Sequence, residues 1–314
     1  MENKKFINDW HTIVNFGMHK GKQLMDLPEG YIKWITDNMK HGPVYEAVIR
    51  INNRKGVTSL ISNSPIDSYI PIMKKGGVLP TVERPNDINP ALFGSFIEYL
   101  VKYNLGLRKN DGVTTYLSQY GLATIPDHLK LFGNIQKPTT RARYIANSFK
   151  KEELLPSDIC NLSFAHALNI STINEEEASI LFKYVLNNQK YFIEYGEKIK
   201  ECTFLPKLSD DEQETCDKIS VGCVIGEIDI LSSTDVIDIK CCIKDDLEYY
   251  RKQLFAYACL HRLRYGKIIT QCKIFNFHTG KIFIMEFGSV SDDIILNHIK
   301  NMGKHCKFHS KLFE

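Results

Sequence analysis

The apolar positions change their period along the chain, and that change organises it. Between 112 and 196 they recur at helical spacing, with breaks at Pro126, Gly133, Pro138 and Pro156; from 197 to 240 they alternate, as strands with one buried face do. Strands are predicted at 199–205, 221–231 and 236–239, the last two joined by Ser-Ser-Thr-Asp at 232–235. A long helix over 245–265, a strand pair at 268–277 and 281–287, and a last helix at 294–302 capped by Ser291 follow. Upstream, Asn89 and Pro90 start a helix over 91–104 with Phe93, Ile97, Leu100 and Val101 on one face, and 44–51 and 69–72 read as short strands. Residues 12–40 form a punctuated unit in which Gly17 and Gly21 bracket a basic turn and Pro28 opens a short helix. Strands, crossing helix, strands and helix predict an α/β core. The chain divides into a small basic and aromatic module (1–42), a first core helix with a helical insertion (43–196) and the core proper (197–314).

Composition narrows the class. With 314 residues, 43% of them hydrophobic and 25% charged, the chain has material for a sizeable globular core, which excludes disorder, collagen and coiled coil. A net charge of +3 is too mild to announce a polyanion partner, so any such site must be local. The polar, acidic start is unlike a signal or transit peptide, and no apolar run is long enough for a membrane helix. Nine cysteines without a C-x-x-C pair speak against a disulfide framework or a zinc knuckle, so reduced thiols in a cytoplasmic or similarly reducing compartment are expected.

The chemistry concentrates in residues 221–240. If Leu231 pairs with Val236 across the four-residue loop, two steps back on each strand set Asp229 opposite Asp238. Opposed carboxylates flanked by isoleucines need compensation, which a hard divalent cation supplies. Lys240 shares the parity of Asp238 and is placed to hold a water. The plain alternative is a hairpin with solvent-facing acids. On the following helix Tyr250, Gln253 and Tyr257 share a stripe and could meet the end of a nucleic-acid strand, or merely pack.

The run Gly226-x-x-Asp229, then Asp238-Ile239-Lys240, then Gln253-x-x-x-Tyr257 resembles the motifs of the PD-(D/E)XK nuclease superfamily in its RecB-like exonuclease branch. Gly94-x-x-x-Glu98 resembles that branch's first-helix motif, with His166, Glu176 and Glu177 as rivals to Glu98. The resemblance implies a restriction-endonuclease-like fold, a mixed central sheet flanked by helices. It also implies metal-dependent phosphodiester hydrolysis of DNA in repair, recombination or replication. Asp229, Asp238, the Ile239 carbonyl and Glu98 would then hold Mg²⁺ or Mn²⁺, Lys240 would orient the attacking water, and Tyr250, Gln253 and Tyr257 would steady the strand.

Phe16-Gly17-x-His19-Lys20-Gly21-Lys22, with Pro28, Tyr31 and Trp34, looks like a short module found on some bacterial exonucleases; Lys20 and Lys22 are its candidate phosphate contacts. Two further basic stretches, 137–151 with Arg141 and Arg143 and the tail with Lys304, Lys307 and Lys311, could extend a DNA path. The cysteines after Lys240 form no clustered triplet, so no iron–sulfur cluster is expected. The expectation is a metal-dependent DNA exonuclease; a structure-specific endonuclease and a non-catalytic DNA scaffold are the alternatives, and oligomeric state is left open.

Overall fold

In the computed structural model, which describes residues 12–24, 27–62, 66–105, 160, 163, 175–205, 215–221 and 224–304, the alternating stretch becomes the middle of a mixed sheet. Its strands are β1 (Lys55–Gly56), β2 (Met73–Val78), β3 (Thr215–Val221), β4 (Val224–Leu231), β5 (Asp235–Lys240), β6 (Gln271–Asn276) and β7 (Lys281–Glu286), in the order β1-β4-β5-β6-β7-β2 with β3 paired to β4 off that path. β4 pairs antiparallel with β3 on one edge; on the other it meets β1 in parallel and β5 antiparallel. β5 and β6 run parallel, joined by the helix α7 described below, while β7 is antiparallel to both β6 and β2. This is the α/β architecture expected, but the sheet is not confined to the residues after 197, because β1 and β2 come from ahead of them.

Helices cover both faces. They are α1 (Glu29–Asn38), α2 (Pro43–Asn52), α3 (Val57–Ile61), α4 (Pro90–Asn104), α5 (Glu175–Asn187), α6 (Gln189–Glu201), α7 (Leu247–Tyr265) and α8 (Asp292–Gly303). On one face Phe93, Phe96 and Leu100 of α4 and Phe192 of α6 pack with Ile230, Ile237, Ile239, Phe275 and Phe277. On the other, Leu254, Phe255 and Ala258 of α7 and Ile295 and Ile299 of α8 pack with Val236, Cys272, Ile274, Phe283 and Met285. The two-residue period thus sends Ile237 and Ile239 toward α4 and leaves Val236, Asp238 and Lys240 toward α7. α7 is buried on almost every side over 252–261, as a helix under a second helix and over a sheet must be. Its ends are set by Asp246, whose carboxylate accepts from Tyr249 N at 3.0 Å, and by Gly266 at φ 68°.

Several predicted elements differ. The stretch 44–51 is helix α2 rather than a strand: Pro43 starts it, and Val44, Ala47 and Val48 fall on one helical face that closes a small core with Val14, Leu24 and Ile35. That core therefore runs past residue 42. The predicted strand at 69–72 lies outside β2 because Arg251 of α7 donates to the Ile70 and Pro71 carbonyls, at 2.6 and 2.9 Å, taking groups a ladder would have used. Residues 199–201 complete α6, whose Phe192, Tyr195 and Ile199 sit at helical spacing. The predicted strand 221–231 is observed as β4, Val224–Leu231, while Val221 ends β3, a strand over Thr215–Val221 that the alternation did not announce. Helices 91–104, 245–265 and 294–302 and the β6–β7 pair are observed within a few residues of their predicted limits.

Candidate active site at the parting of two strands

The loop at 232–235 sets the register as the sequence implied: Leu231 faces Val236 and Ile230 faces Ile237. There the β4–β5 ladder stops, so Asp229 and Asp238 are not ladder partners. Instead the Asp229 carboxylate reaches across the widening gap, and its Oδ2 accepts from the Ile239 N–H at 2.7 Å. A strand residue points its N–H and C=O to the same side, so the Ile239 carbonyl also faces the gap.

Asp238 and Lys240 stand on the same strand face, two residues apart, and the Lys240 ammonium lies 2.5 Å from Asp238 Oδ2. Asp238 is 3% exposed. Burial, and behind it the Asp229 charge, pushes its carboxyl up to about 6, although Lys240 opposes the rise. Burial alone would lower the Lys240 ammonium, but Asp238 and Asp229 outweigh it and hold the group raised.

Glu98 comes from α4, whose start is fixed by Pro90 at its first turn and by the Asn89 side chain, whose Oδ1 accepts from Ala91 N and Leu92 N at 2.9 and 3.3 Å. Desolvation and the neighbouring Asp229 raise its carboxyl to about 7. Of its rivals, Glu177 is engaged at the other end of α4, accepting from Asn89 Nδ2 at 2.9 Å; Glu176 is exposed; and His166 lies outside the described residues. One turn beyond Glu98, Lys102 is almost fully buried and pairs with Glu98 Oε1, with Asp229 Oδ1 3.5 Å away. The sequence reading missed Lys102. Its signal was present as a lysine on the apolar face of a helix, four residues after an acid.

The α7 stripe is real but turned inward. Tyr250, Gln253 and Tyr257 are all buried, and Gln253 Nε2 donates to the Tyr257 hydroxyl at 2.9 Å. Gln253 Oε1 is buried without a hydrogen-bond partner among the described residues. The Tyr250 ring centroid lies 5.8 Å from the Lys240 ammonium. Gly226 makes this approach possible: a Cβ there would stand 2.7 Å from the Tyr257 ring and 3.1 Å from Leu260. Gly226→Ala is therefore expected to destabilise the fold by about 1–3 kcal/mol, read from the urea unfolding midpoint. The loop between β5 and α7 is pinned by buried Asn276, which donates to Asp245 Oδ1 at 2.7 Å and to the Cys242 carbonyl at 2.9 Å.

At the N-terminal module, residues 12–24 form a small hairpin turning through Gly17 and Gly21, at φ 64° and 90°. Lys20 and Lys22 project from it into solvent, and Tyr31 stacks on the half-exposed Trp34 at 5.4 Å. Arg141, Arg143, Lys307 and Lys311 lie outside the described residues, and Lys304 is exposed at the end of α8. Cys160, Cys202, Cys241, Cys242, Cys259 and Cys272 are free. Among the described residues no three His, Cys, Asp or Glu side chains converge as a ready metal cage, and no helix is long and apolar enough to cross a membrane.

Comparison with known proteins places one segment of the chain. Over 65 residues, 19% of this chain, it is 34% identical to Uncharacterized protein YpeB of Escherichia coli K12, of which the match covers 90%. The YpeB of Escherichia coli O157:H7 matches equally. No family model and no solved structure matches. Over that segment the chain belongs to the same family as YpeB.

Proposed function

We propose that this chain, a relative of YpeB through one segment, is a metal-dependent DNA nuclease of the PD-(D/E)XK kind on a restriction-endonuclease-like core. The observation that carries the reading is the meeting of Asp229, Asp238 and Lys240 where β4 and β5 part, with Glu98 facing them from α4. The donors suit a hard divalent ion. Asp229 and the Ile239 carbonyl face the gap, Asp229 and Asp238 are near enough for their charges to act on Glu98, and Asp238 Oδ2 is buried with the Lys240 ammonium beside it and no hydrogen-bond partner among the described residues. Asp229, Asp238 and the Ile239 carbonyl would hold Mg²⁺ or Mn²⁺, with Glu98 on the outer side. Such an ion supplies Lewis acidity toward phosphoryl oxygens and makes a bound water a stronger nucleophile.

The chain's own residues do the rest. Asp229 spans the gap through Ile239 N–H and so fixes the separation of the two acids. Lys240, anchored by Asp238, aims its ammonium where a water in line with phosphorus would sit, and offers positive charge to the nonbridging oxygens. Tyr257 and Gln253 lie buried on the α7 side of the acids, and the Gln253 oxygen, which has no partner among the described residues, can accept from a substrate donor. Lys20, Lys22 and the Tyr31–Trp34 stack offer phosphate and base contacts away from the acids.

Digestion of linear and covalently closed circular DNA with Mg²⁺, Mn²⁺ or EDTA tests the reading. Loss of linear DNA alone, abolished by EDTA, is expected; loss of circles as well makes the enzyme an endonuclease. One observation favours a scaffold instead, namely that Glu98 and Asp238 each already lie against a lysine. DNA that is bound yet intact under every metal condition decides for it.

A further inference from the structure

Two lysines face the acids at the strand parting, and the nuclease motif accounts for only one. Lys102 stands on α4 one turn after Glu98, with its side chain 2% exposed. Its ammonium contacts Glu98, lies 3.5 Å from Asp229 Oδ1 and is near enough for its charge to act on Asp238. The Tyr99 ring, 5.3 Å away, gives the cation a further favourable face. An ammonium held between one carboxylate oxygen from α4 and one from β4 occupies ground that a hard cation would otherwise take.

We propose that Lys102 is a built-in cation filling one of the two positions that a pair of divalent ions would share among Glu98, Asp229 and Asp238, so that the site takes a single ion beside Asp238 and the Ile239 carbonyl. The inference rests on the nuclease reading. Charge balance supports it: three carboxylates against the ammoniums of Lys102 and Lys240 leave one net negative charge when all are ionised. One divalent ion turns this into one positive charge, the complement of a phosphodiester. A second ion would leave a strong positive excess among largely buried side chains, which is costly.

Titration of the full chain with Mn²⁺, following free ion by electron paramagnetic resonance and stability by melting, tests the idea. Wild type is expected to bind one Mn²⁺, and Lys102→Met to bind a second or to hold the first about tenfold more tightly or better. Two ions in wild type, or equal stoichiometry and affinity in both proteins, overturn the proposal. If Lys102→Met does not fold, Glu98→Gln carries the test. It should bind Mn²⁺ about tenfold more weakly, with affinity restored by adding Lys102→Met, which returns the net charge to its starting value. Equal affinity of those two variants overturns the proposal. Absence of Mn²⁺ binding in wild type and every folded variant overturns the nuclease reading itself.

Discussion

Asp238→Ala and Lys240→Ala should each lower the rate of DNA hydrolysis by about 10²–10³-fold or more, the scale of removing one preorganised charge from a transition-state site. The two variants separate by what else they lose. Asp238 is both an ion ligand and the anchor of Lys240, so Asp238→Ala should lose Mn²⁺ binding together with turnover. Lys240→Ala should keep Mn²⁺ and DNA binding, since its role lies with the water. It also strands Asp238 as a buried carboxylate without its partner, an arrangement that costs about 3–5 kcal/mol. A melting curve must therefore accompany the assay, and added Mn²⁺ should restore part of the lost stability by giving Asp238 another cation. Rates unchanged by either substitution in folded protein would remove these residues from the chemistry.

The second large effect is a dependence of stability on pH in EDTA. Glu98 and Asp238 have folded values of about 7 and about 6, above the ordinary 4.5 and 3.8. Between the ordinary and the raised value the folded state binds the proton and the unfolded state has released it, so raising pH through that window weakens the fold. Each acid accounts for about 3 kcal/mol, the loss being complete for Asp238 above about pH 6 and for Glu98 above about pH 7. His298 runs the opposite way. Burial, against the pull of Asp67, lowers it to about 4, so stability is lost as pH falls from 6.5 toward that value. The comparison that isolates the acids is wild type against Glu98→Gln and Asp238→Asn, melted from pH 4 to 8 without metal. The variants should gain on wild type as pH rises, and parallel curves would contradict the buried-acid picture. The Asp238 charge acts on Glu98 directly, and Asp229 acts on both, so the double variant should gain less than the sum.

What could be read beforehand was local. The four-residue loop at 232–235 fixed the Leu231–Val236 pair, and parity then put Asp238 and Lys240 on one face, whereas the expected pairing of Asp229 opposite Asp238 did not form. The parting of β4 from β5 at Asp229, beyond the Ile230–Ile237 pair, did not follow, because nothing in either strand's pattern records that Asp229 will take the Ile239 N–H in place of a backbone carbonyl. Lys102 stayed hidden because an acid and a lysine four apart on a helix ordinarily mark a solvated pair; only the packing of α4 on the sheet buries it. α2 was misread from its β-branched residues, whose local preference for a strand yields to the small core made with Val14, Leu24 and Ile35. The sheet's two outer contributions from the first hundred residues, β1 and β2, depend on partners far along the chain and leave no periodic trace.

That last feature bears on how the molecule is made. β2 pairs Met73 with Met285, so this strand is synthesised well before the one it pairs with. Until β7 emerges, β2 has no ladder and β6 lacks its outer neighbour, and the loop to be closed between them is long. Folding that must complete such a distant pairing is slow, and a nascent chain holds apolar strand edges open in the interval. The lysines of β2, Lys74 and Lys75, are exposed in the finished sheet, and during that interval they lend the waiting strand a charge that discourages pairing with another chain.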